Sequence, residues 1–168
     1  MDDNASHQPQ RQRHFTASGY VAHEGRVLLH WHRKVQALLP PGGHIEPNED
    51  PVETVLREIK EETGLVVEVL STGLPLDVEY PTQVPPPETI MVEDIQDPED
   101  GPHQHIDLIY FCRLVGPAED LKDGWYWVSE EALAQREPVL QRDGSTVQPP
   151  EDVRRLALEA LRKAGNVG

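Results

Sequence analysis

The sequence predicts an α/β fold, a mixed β-sheet enclosed between helices. Three observations carry this expectation. Short runs rich in β-branched and apolar residues recur at 15–32, 65–70, 89–95, 106–114 and 125–128. Two longer stretches, 50–63 and 151–163, repeat their apolar residues at helical spacing. The strand-like and helix-like runs alternate along the chain instead of segregating. At 168 residues the chain fits one compact unit. We expect a single domain over 14–164, with tails at 1–13 and 165–168.

In chain order, Phe15 to Ala22 and Arg26 to Trp31 read as a hairpin turned by His23-Glu24-Gly25. Leu38-Leu39-Pro40-Pro41-Gly42-Gly43 places two rigid and two permissive backbone positions after an apolar end, so a loop is expected next. From Asp50 to Thr63, Val52, Val55, Leu56 and Ile59 form one apolar helical stripe, and Gly64 supplies a C-terminal stop. Leu65 to Leu70 reads as a strand, and a further strand is expected to run to Tyr80. A proline-rich loop at Pro81 to Pro87 precedes a strand at Thr89 to Ile95 and an acidic loop at Gln96 to Gly101. Ile106 to Leu114 is apolar on both alternating faces, as in a central strand covered on both sides. After the strand Trp125 to Val128, Ser129 is placed to cap a helix whose first turn carries Glu130 and Glu131. In the last helix, Glu151 to Lys163, the packing residues are Val153, Leu156, Leu158 and Leu161.

Aromatic residues are only 5% of the chain, so Val, Leu and Ile must carry most of the core. The net charge of −15 disfavours a nucleic-acid polymer as partner, because phosphate-tracking surfaces are basic. An anionic substrate would then require a cation between it and the protein. The lone cysteine, Cys112, sits in an apolar run and reads as a core residue. Met1 to Arg13 lacks the apolar stretch of a signal peptide and no segment has the length of a membrane span, so a cytoplasmic protein is expected.

The chemistry concentrates in the first helix. At 100° per residue, Glu58, Glu61 and Glu62 fall within an arc of roughly 100° beside the apolar stripe. Like charges at these spacings repel, but the arrangement suits a hard divalent cation such as Mg²⁺. Arg57 can hold a neighbouring carboxylate through a bidentate pair, and Glu49 enters from the preceding loop. Gly42 and Gly43 let the backbone approach an ion closely enough for a carbonyl to join the ligands. Acidic helices are common and usually only solvated. The whole spacing, however, would arise by chance roughly once in a million in a chain of this composition.

That spacing, Gly43, Glu49, Arg57, Glu58, Glu61, Glu62 and Gly64 with Ile59 and Leu65 at apolar positions, resembles the Nudix box at every fixed position. The hairpin, the Leu39-Pro40-Pro41-Gly42-Gly43 approach and the Trp127-Val128-Ser129-Glu130-Glu131 step also look like this family, so the resemblance spans most of the chain. It implies an α/β/α sandwich that hydrolyses the pyrophosphate bond of nucleoside diphosphates linked to another moiety. It further implies Mg²⁺, with Mn²⁺ as a substitute, held by Glu58, Glu61, Glu62 and the Gly42 carbonyl, with Glu49 and Arg57 orienting them. Glu61 and Glu62 are expected as the principal ligands and Glu58 as ligand or general base. The implied partner is a small nucleotide-type molecule, and the family admits a homodimer. The alternative is a catalytically silent nucleotide-binding or regulatory domain on the same scaffold.

Outside the box, His103, His105 and Asp107 share one face of an extended strand and can supply an extra base or metal ligand, or only local hydrogen bonds. Glu93, Asp94 and Asp97 compete for that role. Arg33 and Lys34 follow the second hairpin strand and can reach a substrate phosphate, although exposed turn charge is the commoner outcome. Trp31, Trp125 and Trp127 can stack on a base, with core packing the first expectation for at least two.

Overall fold

The computed structural model describes residues 12–71, 73–97 and 101–166. Its main sheet has eight strands. The hairpin strands β1 (Arg13–His23) and β2 (Arg26–His32) are joined at Glu24-Gly25, both with positive φ. This conformation matches the twist of the flanking strands. The short strands β3 (Ala37–Leu39) and β4 (Gly42–His44) follow, pairing with β2 and β1 respectively. The diglycine segment read as loop is therefore partly a strand: its two glycines pair with Ala17 and Ser18 of β1, where a Cβ at Gly42 would collide with β1 itself and one at Gly43 with Glu58. Helix α1 (Pro51–Thr63) leads to β5 (Val67–Val69), then β6 (Thr89–Asp97) and β7 (Gly101–Leu114). A 3-10 turn at Ala118–Asp120, β8 (Trp125–Ser129) and helix α2 (Glu130–Gln135) come next. A two-stranded ribbon, β9 (Val139–Leu140) with β10 (Thr146–Val147), precedes helix α3 (Glu151–Gly165).

β1 and β7 run parallel at the centre and every other pairing in the sheet is antiparallel, which makes it mixed. The expected strand toward Tyr80 does not form: the described residues from Ser71 to Glu88 have no regular structure. Leu74, Leu76, Val78 and Tyr80 lie exposed, so the apolar signal there has no sheet face to bury against. Of the acidic stretch read as a loop at 96–101, Gln96 and Asp97 belong to β6 and Gly101 to β7, and 98–100 lie outside the described residues. β1 takes in Arg13, one residue inside the expected tail, and α3 runs through Gly165. Residues 1–11 lie outside the described residues.

Strand alternation sorts the core into two layers. Ala17 and Val21 of β1 with Tyr110 and Cys112 of β7 face α1, where Val55 and Ile59 are fully buried. Tyr20 and Ala22 with Ile109 and Phe111 face α3, packed by Val153, Ala157, Ala160 and Leu161. Ala157 and Ala160, unread as core in the sequence, let α3 approach the sheet closely, while Leu156 and Leu158 are only partly buried. Burial pushes the Cys112 thiol up to about 12, which keeps it a packing residue. All three tryptophans are half-buried against one of the two layers. Among the described residues no helix is long and apolar enough to cross a membrane.

Candidate active site

Helix α1 owes its exact start and stop to local chemistry. Asp50 accepts from the Val52 and Glu53 amides at 2.8 and 2.9 Å, and Glu53 returns a bond from the Asp50 amide at 2.9 Å. This reciprocal box satisfies the amides that a helix start leaves open. Gly64 ends the helix in the left-handed region at φ +83°, and its amide donates to the Lys60 carbonyl. The cap residues fix the rotation of α1, and the buried stripe at Val55 and Ile59 presses it onto β1. Glu58 and Glu62 are thereby turned toward β4.

There Arg57 acts as a fork. Its Nε and Nη2 donate to the two oxygens of Glu49 at 2.6 and 3.0 Å, and Nη1 donates to Glu58 at 2.7 Å and Glu61 at 3.3 Å. Nη2 also reaches the His44 carbonyl at 3.3 Å, tying helix to strand. Thr54 Oγ1 donates to Glu49 at 2.8 Å. These bonds hold the Glu49 carboxyl at about 2, well below its ordinary value, with the Arg57 hydrogen bond as the main cause. The Arg57 guanidinium is correspondingly pushed up, chiefly by Glu49 and then Glu58.

Glu58 packs over Gly43 so closely that a Cβ there would lie 2.2 Å from its Oε1. Only glycine fits. Glu62 accepts from the Gly42 amide at 3.1 Å and is half-buried, so desolvation raises its carboxyl to about 7 against that bond, with Glu58 and Glu61 adding to the rise. Glu61 is the most open of the three, with 62% of its side chain exposed. Behind the cluster, Lys122 Nζ donates to the Glu61 carbonyl at 2.5 Å and Trp125 Nε1 to the Glu62 carbonyl at 3.2 Å. Trp125 also stacks on His30 at 4.3 Å between ring centroids. These backing contacts carry no sequence signal, because they join segments some sixty residues apart.

The donor set is three carboxylates beside a glycine backbone, all oxygen, with one carboxylate disfavoured in its charged form. This chemistry fits a hard divalent ion such as Mg²⁺.

The residues outside the box separate. Asp107 is buried and accepts from Thr16 Oγ1 at 2.9 Å and Ser18 Oγ at 2.8 Å, while burial pushes its pKa up against those bonds. Glu93 is raised by burial and then by Asp107 and Asp152. Asp94 accepts from Gln104 at 3.0 Å, and Asp97 lies 4.0 Å from Lys34. Arg33 and Lys34 are exposed in the turn between β2 and β3. Among the described residues, the ring partners of His103 and His105 are each other and two histidines unmarked in the sequence, His14 and His44. Burial, then the neighbouring rings of His44, His103 and His14, holds His105 down at about 4.

A family model described as the NUDIX domain matches residues 12–148. The probable DHNTP pyrophosphohydrolase of Lactococcus lactis subsp. cremoris is 30% identical over 122 residues, covering 73% of this chain and 67% of that protein. The crystal structure of a NUDIX-family hydrolase from Clostridium perfringens aligns with a TM-score of 0.68 at 31% identity, over 90% of this chain and 97% of that one. A MutT protein from Methanosarcina mazei shares the fold at a TM-score of 0.58 and 17% identity, over 94% and 99% of the two chains.

Proposed function

The chain belongs to the Nudix hydrolase family, whose members cut pyrophosphate bonds, and from that premise we propose that it is a Mg²⁺-dependent pyrophosphohydrolase of a small nucleotide-type substrate. One observation supports this most: the Arg57 fork ties Glu49, Glu58 and Glu61 into one network, while Glu62 closes on the Gly42 amide and Glu58 lies over Gly43, so the helix carboxylates meet β4 at its two glycines. Glu58, Glu61 and Glu62, with the Gly42 carbonyl, would hold the ion. When bound, Mg²⁺ lowers the pKa of attacking water and offsets charge on the phosphates. Mn²⁺ serves as a substitute of similar preference for oxygen ligands.

Arg57 keeps Glu58 oriented through a charge-assisted bond and keeps Glu49 ionised beside it. A carboxylate of the cluster takes the proton of water as it attacks phosphorus, a contribution of roughly 10²–10⁴-fold. The products are then a monophosphate and the remaining phosphate group. The intact carboxylate set is the reason to prefer this reading over a silent binding domain.

The similarity to a probable DHNTP pyrophosphohydrolase makes DHNTP the first compound to assay. Nucleoside triphosphates, nucleotide sugars, dinucleoside polyphosphates and oxidised nucleotides complete the panel. The purified chain is incubated with each compound and Mg²⁺ or Mn²⁺, and products are identified by chromatography. Metal-dependent cleavage at a pyrophosphate bond is expected. Binding without turnover across the panel, with both metals, would favour the silent domain.

A further inference from the structure

Four histidines meet at one end of the sheet, on the face that carries α3. The β1–β7 register sets His14 directly beside His105, with His103 one pleat further along the same face. On the other side of β1, His44 pairs across from Thr16, a diagonal neighbour of His14 within the reach of an imidazole. Ring centroids of neighbouring pairs lie 4.7 to 6.0 Å apart.

The nitrogen positions carry more than the crowding does. His103 Nδ1 lies 2.9 Å from the Gly101 carbonyl, which can only accept. In the neutral ring the proton therefore sits on Nδ1, and Nε2 presents a lone pair inward. A backbone carbonyl that fixes the tautomer in this way is the usual support behind a metal-bound imidazole. The inward Nε2 stands 3.1 Å from His105 Nε2, and His44 Nε2 stands 3.3 Å from His14 Nδ1. Tetrahedral zinc with Zn–N of about 2.0–2.1 Å sets its nitrogens ~3.4 Å apart. One ligand atom from each of His14, His103 and His105 already lies within 4.8 Å of the others, with His103 buried and the other two half-buried.

We propose that His14, His103 and His105, completed by His44, form a second cation site that takes a borderline transition metal of the Zn²⁺ class. An all-imidazole set discriminates against Mg²⁺, which requires oxygen ligands, so the two sites divide the metals between them. The ion would clip β1, β4 and β7 together. Because β4 also carries Gly42 and Gly43, and the His44 carbonyl receives Arg57, occupancy would stiffen the strand on which the carboxylates rest. The proposal stands apart from the hydrolysis reading, since none of its ligands is a box carboxylate.

The test uses the full chain stripped with EDTA and titrated with Zn²⁺ by calorimetry in excess Mg²⁺. Half-buried His14 and His105 are replaced singly by Ala, with circular dichroism confirming the fold, and Glu61→Gln serves as the carboxylate control. We expect one Zn²⁺ per wild-type chain and a higher melting temperature on binding. Affinity should fall at least tenfold in His14→Ala and His105→Ala but stay unchanged in Glu61→Gln. X-ray absorption of the zinc-loaded protein should show nitrogen ligands at about 2.0 Å. Absence of Zn²⁺ binding to folded wild type overturns the proposal. So does wild-type affinity retained in both histidine variants, or a loss confined to Glu61→Gln.

Discussion

Replacing Glu62 by Gln separates what this carboxylate does for the fold from what it does for chemistry. In the folded, metal-free chain its carboxyl titrates at about 7 instead of the ordinary 4.5, mainly because it is desolvated. The native state thus holds a proton that the unfolded chain releases, and stability falls as pH rises from about 4.5 to about 7. A displacement of that size corresponds to about 3 kcal/mol. Residual contact with solvent brings it to about 2 kcal/mol. Gln keeps the acceptor for the Gly42 amide without the charge. In EDTA at pH 8, Glu62→Gln should therefore be the more stable protein by about 2 kcal/mol, a rise in Tm of about 4–8 °C. At pH 4.5 the two proteins should melt together. Turnover should fall by at least about 10²-fold. Thermal melts across pH 4.5–8 measure the first effect. A variant that is less stable at pH 8, or whose advantage does not change with pH, would refute the reasoning.

Three further substitutions probe the scaffold around the site. Gly43→Ala should leave the fold intact, because the colliding Glu58 carboxyl is the movable end of a side chain, yet cut kcat at least tenfold by displacing it; steady-state kinetics and circular dichroism check both halves. Asp50→Ala removes the helix cap and should cost about 1 kcal/mol in urea melts, with KM little changed. Gly19→Ala puts a Cβ 2.6 Å from Ile59 Cδ1 and 2.7 Å from Val55 Cγ2 under α1, so about 1–3 kcal/mol of stability should be lost, read by the same melts.

The box was legible in the sequence because its chemistry is local: Arg57, Glu58, Glu61, Glu62 and Gly64 act within one helix and its C-terminal stop, where spacing fixes geometry. The hairpin and the alternating 106–114 run were readable for the same reason. What spacing could not reveal was pairing across the chain. β1 and β7 meet although Thr16 and Asp107 stand 91 positions apart, so nothing near His14 marks it as a neighbour of His103 and His105. β4 went unread because diglycine signals a loop, whereas here absent side chains allow a strand to lie flat on β1. The apolar residues at 74–80 misled in the other direction, because strand propensity counts only where a sheet face is available.

The central claim is that the box glutamates hold a divalent ion for a pyrophosphate substrate. Its most direct test is a Mn²⁺ titration followed by electron paramagnetic resonance, with a non-hydrolysable methylene-bridged nucleotide present, on wild type and on a Glu61→Gln/Glu62→Gln double variant. Bound Mn²⁺ is expected on the wild-type chain, displaceable by Mg²⁺, with at least a tenfold loss of affinity in the double variant. Equal binding by the two proteins, or no binding by a folded wild type, would contradict it.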